Sequence, residues 1–251
     1  MTDEFTKEYS HSSQARDAAR NHQWLTALAA PIPDLHTVDA NELRLRHLHG
    51  HHARPTELAA VASLLGGLHG RAHRTRLRNA RLDQDFPTSS GLTLPGFTTS
   101  RHARLHHHCQ HGLISPEQLH HGTSALTHAK GQPAAFYKDT NIRNVLITDA
   151  GPAFIDFDDL TLAPFGYDLA KLLFSAAMTY GRLSPATYPT VLAAYEAAVR
   201  AEGGPARACS WDNLIQWLEL HYLLTVSYLG RNGYQHRWET VRPGTDPDQR
   251  A

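Results

Sequence analysis

Residues Phe136 to Lys171 read FYKDTNIRNVLITDAGPAFIDFDDLTLAPFGYDLAK, and this stretch decides how the chain arranges its polar residues. Two short apolar runs joined by a turn that contains Asp and Gly predict a β-hairpin. Asp139, Asn144 and Asp156 stand at the open end of that hairpin, where their side chains can converge. Two carboxylates and one amide offer the hard oxygen ligands that Mg²⁺ prefers and a base for a hydroxyl group.

Each of these three residues also has an ordinary structural explanation. A single Asp in a loop is most often a turn or helix-cap residue, so none of them identifies a site on its own. Their order and spacing favour a shared role, and the sequence therefore predicts one site.

The order Asp-x-x-x-x-Asn, strand, turn, strand, Asp resembles the catalytic and metal-binding loops of the protein-kinase superfamily. Within it, the chain is most similar to the aminoglycoside phosphotransferase family, a group of small-molecule kinases. That family typically has His-Gly-Asp followed by Asn, then an Ile-Asp-Phe-like triplet and a Tyr-Asp-Leu-Ala segment. This chain has Tyr137-Lys138-Asp139, Asn144, Ile155-Asp156-Phe157 and Tyr167-Asp168-Leu169-Ala170, in that order.

The resemblance implies an α+β, protein-kinase-like two-lobed fold. A reduced amino-terminal nucleotide-binding lobe would take residues 1–53, and a mainly helical catalytic and substrate-binding lobe residues 54–251. The patterns agree, since residues 4–9 alternate as a strand, a helix is expected from Ser12, and residues 35–48 have the pattern of a hairpin. Further helices are expected from Thr56, Ser115, Leu169, Ser184 and Trp211, the last ending at Leu229, with a long loop at 82–100 and a disordered tail from Pro243.

The resemblance also implies roles within the site. Asp139 would orient the acceptor hydroxyl or accept its proton, and Asn144 and Asp156 would hold Mg²⁺ between phosphate oxygens. Asp168 would brace the catalytic loop through backbone N–H groups. ATP or GTP is the implied phosphate donor. The residues implied to contact it are Lys7 at the phosphates and His47 and Leu48 at a hinge beside the base. Lys138 replaces the glycine of the family motif, and Asn141 stands where the family often has a basic residue. Lys138 and Arg143 are the candidates to supply the lost positive charge near the phosphates.

Two features near Lys7 depart from the family pattern. The first glycine of the chain is Gly50, so the glycine-rich phosphate loop expected ahead of Lys7 is missing. Either the natural start lies upstream, or the nucleotide site has an open roof, which we favour. Asp17 is the best-placed acidic residue to pair with Lys7, although the family normally has a glutamate there. A solvated strand lysine is the simpler alternative for Lys7.

The composition argues against several kinds of partner. Lys and Arg together number 24, as do Asp and Glu, so charge gives no reason to expect a nucleic acid or a membrane surface. No apolar stretch reaches the roughly 18 residues needed to span a bilayer. The start of the chain does not resemble a signal peptide. Cys109 and Cys209 cannot form a disulfide framework and fit a reducing compartment, so we expect a cytoplasmic protein.

Histidine is the unusual component, with 19 residues concentrated in segments 47–52 and 106–111. Consecutive residues on one element do not point well at a single centre. Solvated histidines are therefore favoured, and a zinc site stays as the alternative.

The sequence thus predicts a Mg²⁺-dependent O-phosphotransferase that moves the γ-phosphate of ATP or GTP to a hydroxyl of a small molecule. An aminoglycoside or a basic peptide antibiotic is a candidate acceptor, which implies resistance or self-protection. The alternative is a catalytically weak relative that binds a small molecule or a partner protein, and a histidine-rich metal-binding module is a third. The acidic residues expected to line a site for a cationic acceptor, or else a solvated surface, are Asp158, Asp159, Asp212 and Glu219.

Overall fold

A computed structural model describes residues 3–231 and 233–244 as an α+β arrangement of short strands and longer helices. The strands are β1 (Glu4–Glu8), β2 (Leu35–Val38), β3 (Glu42–Arg46), β4 (His51–His52), β5 (Phe86–Pro87), β6 (Thr93–Leu94), β7 (Ala134–Tyr137), β8 (Val145–Thr148), β9 (Gly151–Phe154) and β10 (Thr161–Pro164). The helices are α1 (Ser12–Thr26), α2 (Leu58–Ala72), α3 (Thr98–Gln110), α4 (Pro116–Ala129), α5 (Tyr167–Tyr180), α6 (Thr187–Ala201), α7 (Trp211–Thr225) and α8 (Trp238–Val241). Within this described part, none of the helices has both the length and the apolar character that crossing a bilayer requires.

The amino-terminal sheet has the strand order β1-β3-β2, with antiparallel neighbours. Alternation along β3 buries Leu43 and Leu45, and α1 buries Trp24 and Leu25 in the same core. Lys7 of β1 stands opposite Leu43 in the register. The predicted order of strand, helix and hairpin is confirmed.

A second small sheet, β4-β8-β9, connects the two parts of the chain. β8 and β9 form the predicted hairpin, with Thr148 opposite Gly151 at its turn. β4 pairs with the other edge of β8, and the N–H of Ala53 donates to the carbonyl of Val145 at 3.0 Å. The chain therefore enters the helical part along the site hairpin, and a lobe boundary after residue 53 remains a proposal.

Helices α2 and α6 lie unusually close because α2 presents glycines to α6. A Cβ atom at Gly66 would lie 2.3 Å from the carbonyl oxygen of Tyr195, and one at Gly70 would lie 2.6 Å from the α6 backbone. The Tyr195 hydroxyl is 2.7 Å from Nδ1 of His69 on α2 and accepts the N–H of Gly166 at 3.1 Å. One side chain of α6 thus links α2 to the start of α5.

Helix α5 is buried from residue 167 to residue 178, as its apolar sequence predicts. Its buried polar residues include Asp168, Lys171 and Ser175, each of which contacts the loop between β7 and β8. Their spacing of three and four residues places them on one face of the helix. An otherwise apolar helix therefore turns a polar stripe toward that loop.

The sequence did not predict every element. Helix α3 was missed, and the expected loop at 82–100 contains the β5-β6 pair. α2 begins at Leu58 after a 3₁₀ turn, rather than at Thr56, and α7 ends at Thr225 rather than at Leu229. The predicted disordered tail falls mostly outside the described residues, beyond residue 244.

Replacing Gly166 by alanine should destabilise the protein by about 3 kcal/mol. Gly166 has φ 81°, in the left-handed region, and an added Cβ would lie 2.1 Å from Sγ of Cys209. Urea unfolding of Gly166→Ala measures the loss. The matched control is Gly131→Ala, where no atom lies within 4 Å of an added Cβ; a similar loss in both variants would contradict the steric explanation.

Candidate active site

Asp139 lies in the loop after β7 in a conformation that needs support. Its φ is 61°, in the left-handed region that non-glycine residues rarely adopt. The buried carboxylate of Asp168 accepts the backbone N–H groups on both sides of it, from Lys138 at 3.1 Å and Thr140 at 2.8 Å. The bracing role predicted for Asp168 is therefore confirmed. Backbone strain held in this way concentrates at functional sites.

Two side chains contact the carboxylate of Asp139, which is 27% exposed. Lys171 Nζ lies 3.2 Å from Oδ1, and the Tyr137 hydroxyl donates to the same oxygen at 2.7 Å. Partial burial raises the pKa of Asp139, but the Lys171 charge and the Tyr137 hydrogen bond outweigh that effect, and the net pKa is lowered. Asp139 is consequently ionised at neutral pH and is a weak base.

Lys7 connects the amino-terminal sheet to the site. Its Nζ lies 3.0 Å from Oδ1 of Asp156 and 2.7 Å from Oδ2 of Asp158. Burial lowers the pKa of Lys7, but the hydrogen bond to Asp158 and the charges of both carboxylates outweigh it, and the pKa is raised. The predicted partner Asp17 was wrong, because Asp17 is exposed and pairs with Arg20 at 3.2 Å.

The residues predicted to bind Mg²⁺ fit a metal ion in this arrangement. Asp156 already holds a cationic group, the Lys7 ammonium, and Asn144 lines the same cavity. The Asn144 amide donates from Nδ2 to the backbone carbonyl of Asp139 at 3.0 Å, which leaves Oδ1 for a metal. Carboxylate and amide oxygens are suitable Mg²⁺ ligands. The metal role of Asn144 and Asp156 remains a prediction.

The cavity beside Lys7 has a volume of about 500 Å³ and separates the amino-terminal sheet from the β8-β9 hairpin. His47 and Leu48, the predicted hinge residues, line it. The His47 N–H is engaged by the carbonyl of Asp3 at 2.7 Å, whereas the Leu48 N–H has no backbone partner among the described residues. Of the two, Leu48 is thus the better donor to a base edge.

A second pocket, of about 360 Å³, lies on the other side of Asp139. Asp159 lines it, as predicted for the acceptor site. Asp158 is held by Lys7 and Tyr9 instead. The two predicted residues of α7 lie elsewhere: Asp212 is exposed in its first turn, and Glu219 lines a different pocket and accepts from the Trp238 indole at 2.9 Å.

Lys138 and Arg143 do not line the cavity that holds Lys7, as far as residues 3–231 and 233–244 define it. Lys138 Nζ is buried without a hydrogen-bond partner, 4.4 Å from the centre of the Phe154 ring. Alternation at the end of β7 turns it away from the face that carries Tyr137. Arg143 lies against Gly233, where an added Cβ would be 2.6 Å from its Cδ. The structure therefore does not support the predicted phosphate contacts of these two residues.

Sequence reasoning missed Lys171 and Arg101, which both line the second pocket. Lys171 follows Asp168 by three residues on a helix, so a shared face was the signal that pointed to it. Arg101 had no such signal, because its helix α3 was not predicted.

Replacing Lys138 by methionine should raise the free energy of unfolding by about 1 kcal/mol at neutral pH. Burial lowers the pKa of Lys138 below its ordinary value of 10.5, so the folded state disfavours the charged form. The folded protein then releases this proton at lower pH than the unfolded chain, and the wild type gains stability as pH rises toward 10.5. Urea unfolding of both proteins measures the effect. The difference between their free energies of unfolding should be smaller at alkaline pH than at neutral pH.

The control for that measurement is Lys130→Met at an exposed lysine, which should change stability little at either pH. A Lys138→Met protein less stable than the wild type at neutral pH would contradict the account.

Comparison with known proteins agrees with this geometry. The sequence profile of the phosphotransferase enzyme family matches residues 5–210. Similar solved structures include a macrolide 2′-phosphotransferase from Brachybacterium faecium (TM-score 0.56, 16% identity, 97% of this chain and 85% of that one). An aminoglycoside phosphotransferase from Streptomyces rimosus, in complex with ADP and streptomycin, has TM-score 0.55 and 17% identity over 88% and 87%. A choline kinase from Streptococcus pneumoniae has TM-score 0.59 and 14% identity over 89% and 76%.

No curated protein sequence matches the chain. At these low identities, the solved structures confirm the kinase-like fold with a helical carboxy-terminal lobe and nothing finer. The family match spans most of the chain. This protein is a small-molecule kinase and belongs to the phosphotransferase enzyme family.

Proposed function

We propose that this kinase transfers the γ-phosphate of ATP or GTP to a hydroxyl group of a small molecule, with Mg²⁺. The supporting observation is the position of Asp139 between two pockets. Its carboxylate lines the 360 Å³ pocket, and its backbone carbonyl accepts a hydrogen bond from Asn144, which lines the 500 Å³ cavity. An acceptor in the first and a nucleotide in the second would meet here. In-line phosphoryl transfer requires such an arrangement.

The 500 Å³ cavity is the proposed nucleotide site. Its volume lies within the range of about 300–1,000 Å³ that small-molecule sites occupy. Leu45, Leu48 and Leu146 supply apolar walls for a base, and Lys7 and Asp156 form a charged end. Because the reaction consumes a nucleoside triphosphate, we propose that it takes place in the cytoplasm.

At the charged end, Asn144 and Asp156 would hold Mg²⁺. A magnesium ion held by these two residues would supply positive charge that neutralises the transferring phosphate. Lys7 would then exchange its contact with Asp156 for a phosphate oxygen within reach of its flexible stem. Without a nucleotide, the Lys7 ammonium contacts the carboxylates of Asp156 and Asp158 and so stays beside the proposed metal ligands.

Asp139 would act mainly by orienting the acceptor hydroxyl. Its lowered pKa makes it a poor base early in the reaction, which suits a loose transition state in which the proton leaves late. Lys171 is the proposed positioning residue, because it fixes the Asp139 carboxylate at 3.2 Å. In this way α5 supplies the positive charge that Asn141, at a position often basic in the family, does not.

The acceptor pocket favours an uncharged or anionic molecule over a polycation. Arg101 is only 8% exposed and donates to three neutral oxygens, those of Tyr167, Phe97 and Thr161, with no carboxylate partner among the described residues. A buried charge without a counter-ion favours an anion nearby. Within this pocket, Asp159 supports a cationic acceptor such as an aminoglycoside, as does the similarity to an aminoglycoside phosphotransferase and a choline kinase.

A catalytically weak relative that only binds a small molecule or a partner is the competing proposal. The arrangement of Asp139, Asn144 and Asp168 gives it less support, since strained backbone held by two hydrogen bonds is not needed for binding alone.

Turnover should fall about 10²–10⁴-fold in Asp139→Asn, because the amide lacks the charge that orients the acceptor hydroxyl and takes up its proton late in the reaction. We would first supply ATP or GTP with Mg²⁺ and measure ADP or GDP release in the presence of hydroxylated small molecules. These molecules would form matched sets that differ only in carrying a carboxylate, no charge or an amine. The variant is then assayed with the best acceptor, and nucleotide binding is measured by calorimetry and should persist.

Asp149→Asn is the matched control, because Asp149 is an exposed aspartate in the β8-β9 turn. It should keep wild-type turnover. Equal turnover in Asp139→Asn and wild type would remove Asp139 from the mechanism. A failure of every acceptor to stimulate ADP or GDP release would favour the competing proposal.

Replacing Lys171 by methionine should move the acidic limb of the kcat/KM profile to higher pH. The ammonium holds down the pKa of Asp139, and burial raises that pKa once the ammonium is gone. Activity should therefore drop most at acidic pH and recover as pH rises. Lys171→Arg keeps the charge and should retain the wild-type limb. An unshifted limb in Lys171→Met would show that Lys171 does not set the ionisation of Asp139.

A further inference from the structure

Three side chains outside the proposed phosphotransfer chemistry lie together where the chain ahead of β1 meets the segment after β3. They are Asp3, His47 and His49. The backbone hydrogen bond from His47 to Asp3 holds the two segments side by side at 2.7 Å. His47 and His49 are alternate residues, and their rings lie 4.9 Å apart. Alternate residues of a non-helical segment can face one side, which consecutive histidines do not.

The candidate ligand atoms of these residues all lie within 4.8 Å of one another. Nδ1 of His47 is 3.7 Å from Oδ1 of Asp3, and Nε2 of His49 contacts the other carboxylate oxygen, Oδ2. Zinc bound at about 2.0–2.2 Å in tetrahedral geometry separates its ligand atoms by about 3.4 Å. The side chains of Asp3, His47 and His49 are 57%, 45% and 77% exposed, so small rotations can reach that spacing.

We infer that Asp3, His47 and His49 bind a divalent transition-metal ion of the zinc class. Two imidazoles and one carboxylate suit Zn²⁺ and its neighbours, whereas Mg²⁺ prefers oxygen ligands such as those of Asn144 and Asp156. Three protein ligands leave further coordination positions open to solvent. This site does not depend on the proposed reaction.

The place of the site gives the ion a structural consequence. His47 and His49 line the 500 Å³ cavity, and Asp3 directly precedes β1, the strand that carries Lys7. A bound ion would link Asp3, at the start of β1, to His47 and His49 in the wall of that cavity. Metal binding therefore stabilises the amino-terminal sheet as well as occupying the three side chains.

Other histidine groups lack part of this arrangement. His36 pairs with Glu4 at 3.0 Å but brings a single imidazole. The rings of His107 on α3 and His111 just after its end lie 4.1 Å apart without a carboxylate. Within the described ranges, no second set of three metal-binding side chains lies as close together.

The test is a calorimetric titration of the full chain with zinc chloride. The protein must be free of a histidine tag and stripped with EDTA, at a pH where imidazole is neutral. We expect one ion per chain in the tightest event, unaffected by excess Mg²⁺. His49→Gln and Asp3→Asn should each weaken that event by about tenfold or more. His36→Gln and His107→Gln, the matched controls, should keep wild-type affinity.

Thermal melts provide the second readout. Zinc should raise the Tm of the wild type and of His36→Gln, but not that of a His47→Gln/His49→Gln double variant, whose metal-free melt reports whether it folds. Equal zinc affinity in wild type and double variant, or no tight event in the wild type, overturns the site. The result stands whether or not the chain phosphorylates any acceptor.

Discussion

The site depends on the carboxylate of Asp168. It is fully buried, and it accepts the N–H groups on both sides of Asp139. These two bonds add to the ones that Asn141 and Asn144 donate to the Asp139 carbonyl, and together they hold the left-handed backbone of Asp139 in place. Without the Asp168 carboxylate, two buried N–H groups would lose their partners, at a cost of about 1–3 kcal/mol each. The loop that carries Asp139 is thus shaped in part by a helix that follows it by nearly thirty residues.

The remaining charges are arranged in two opposed groups. Beside the proposed nucleotide cavity, Lys7 lies between Asp156 and Asp158. Beside the proposed acceptor pocket, Lys171 is paired with Asp139. Each carboxylate that would take part in the chemistry already contacts a lysine. Substrates would meet charges held in position, so little reorganisation accompanies transfer.

Local sequence patterns correctly predicted those parts of the fold that depend on interactions between residues near in sequence. Two short apolar runs and a turn that contains Asp149 and Gly151 are sufficient to predict the β8-β9 hairpin, and Ser115 caps α4 as its sequence predicts. The motif spacing identified Asp139, Asn144 and Asp156, although their catalytic and metal roles await experiment. Helix α3 escaped because its many histidines leave too few apolar residues for a helical period to appear.

The directions in which the site side chains point could not be predicted from local sequence patterns. Lys138 and Arg143 looked available for phosphate because both flank the motif, yet one is buried against Phe154 and the other lies along Gly233. Lys7 pairs with Asp156 rather than with Asp17, and these two partners lie 149 positions apart in the sequence. Such choices depend on which surfaces the complete fold brings together, and one sequence does not specify them.

The glycines of α2 link the packing of two helices to the position of the turn that carries Asp168. Gly66 fixes how closely α6 approaches, α6 carries Tyr195, and the Tyr195 hydroxyl holds the N–H of Gly166 at the first turn of α5. That turn carries Asp168. A series of contacts thus runs from Gly66 through Tyr195 and Gly166 to the turn of α5 that holds the Asp139 loop. A methyl group at Gly66, 2.3 Å from the carbonyl oxygen of Tyr195, would displace α6 and disturb the other end of this series.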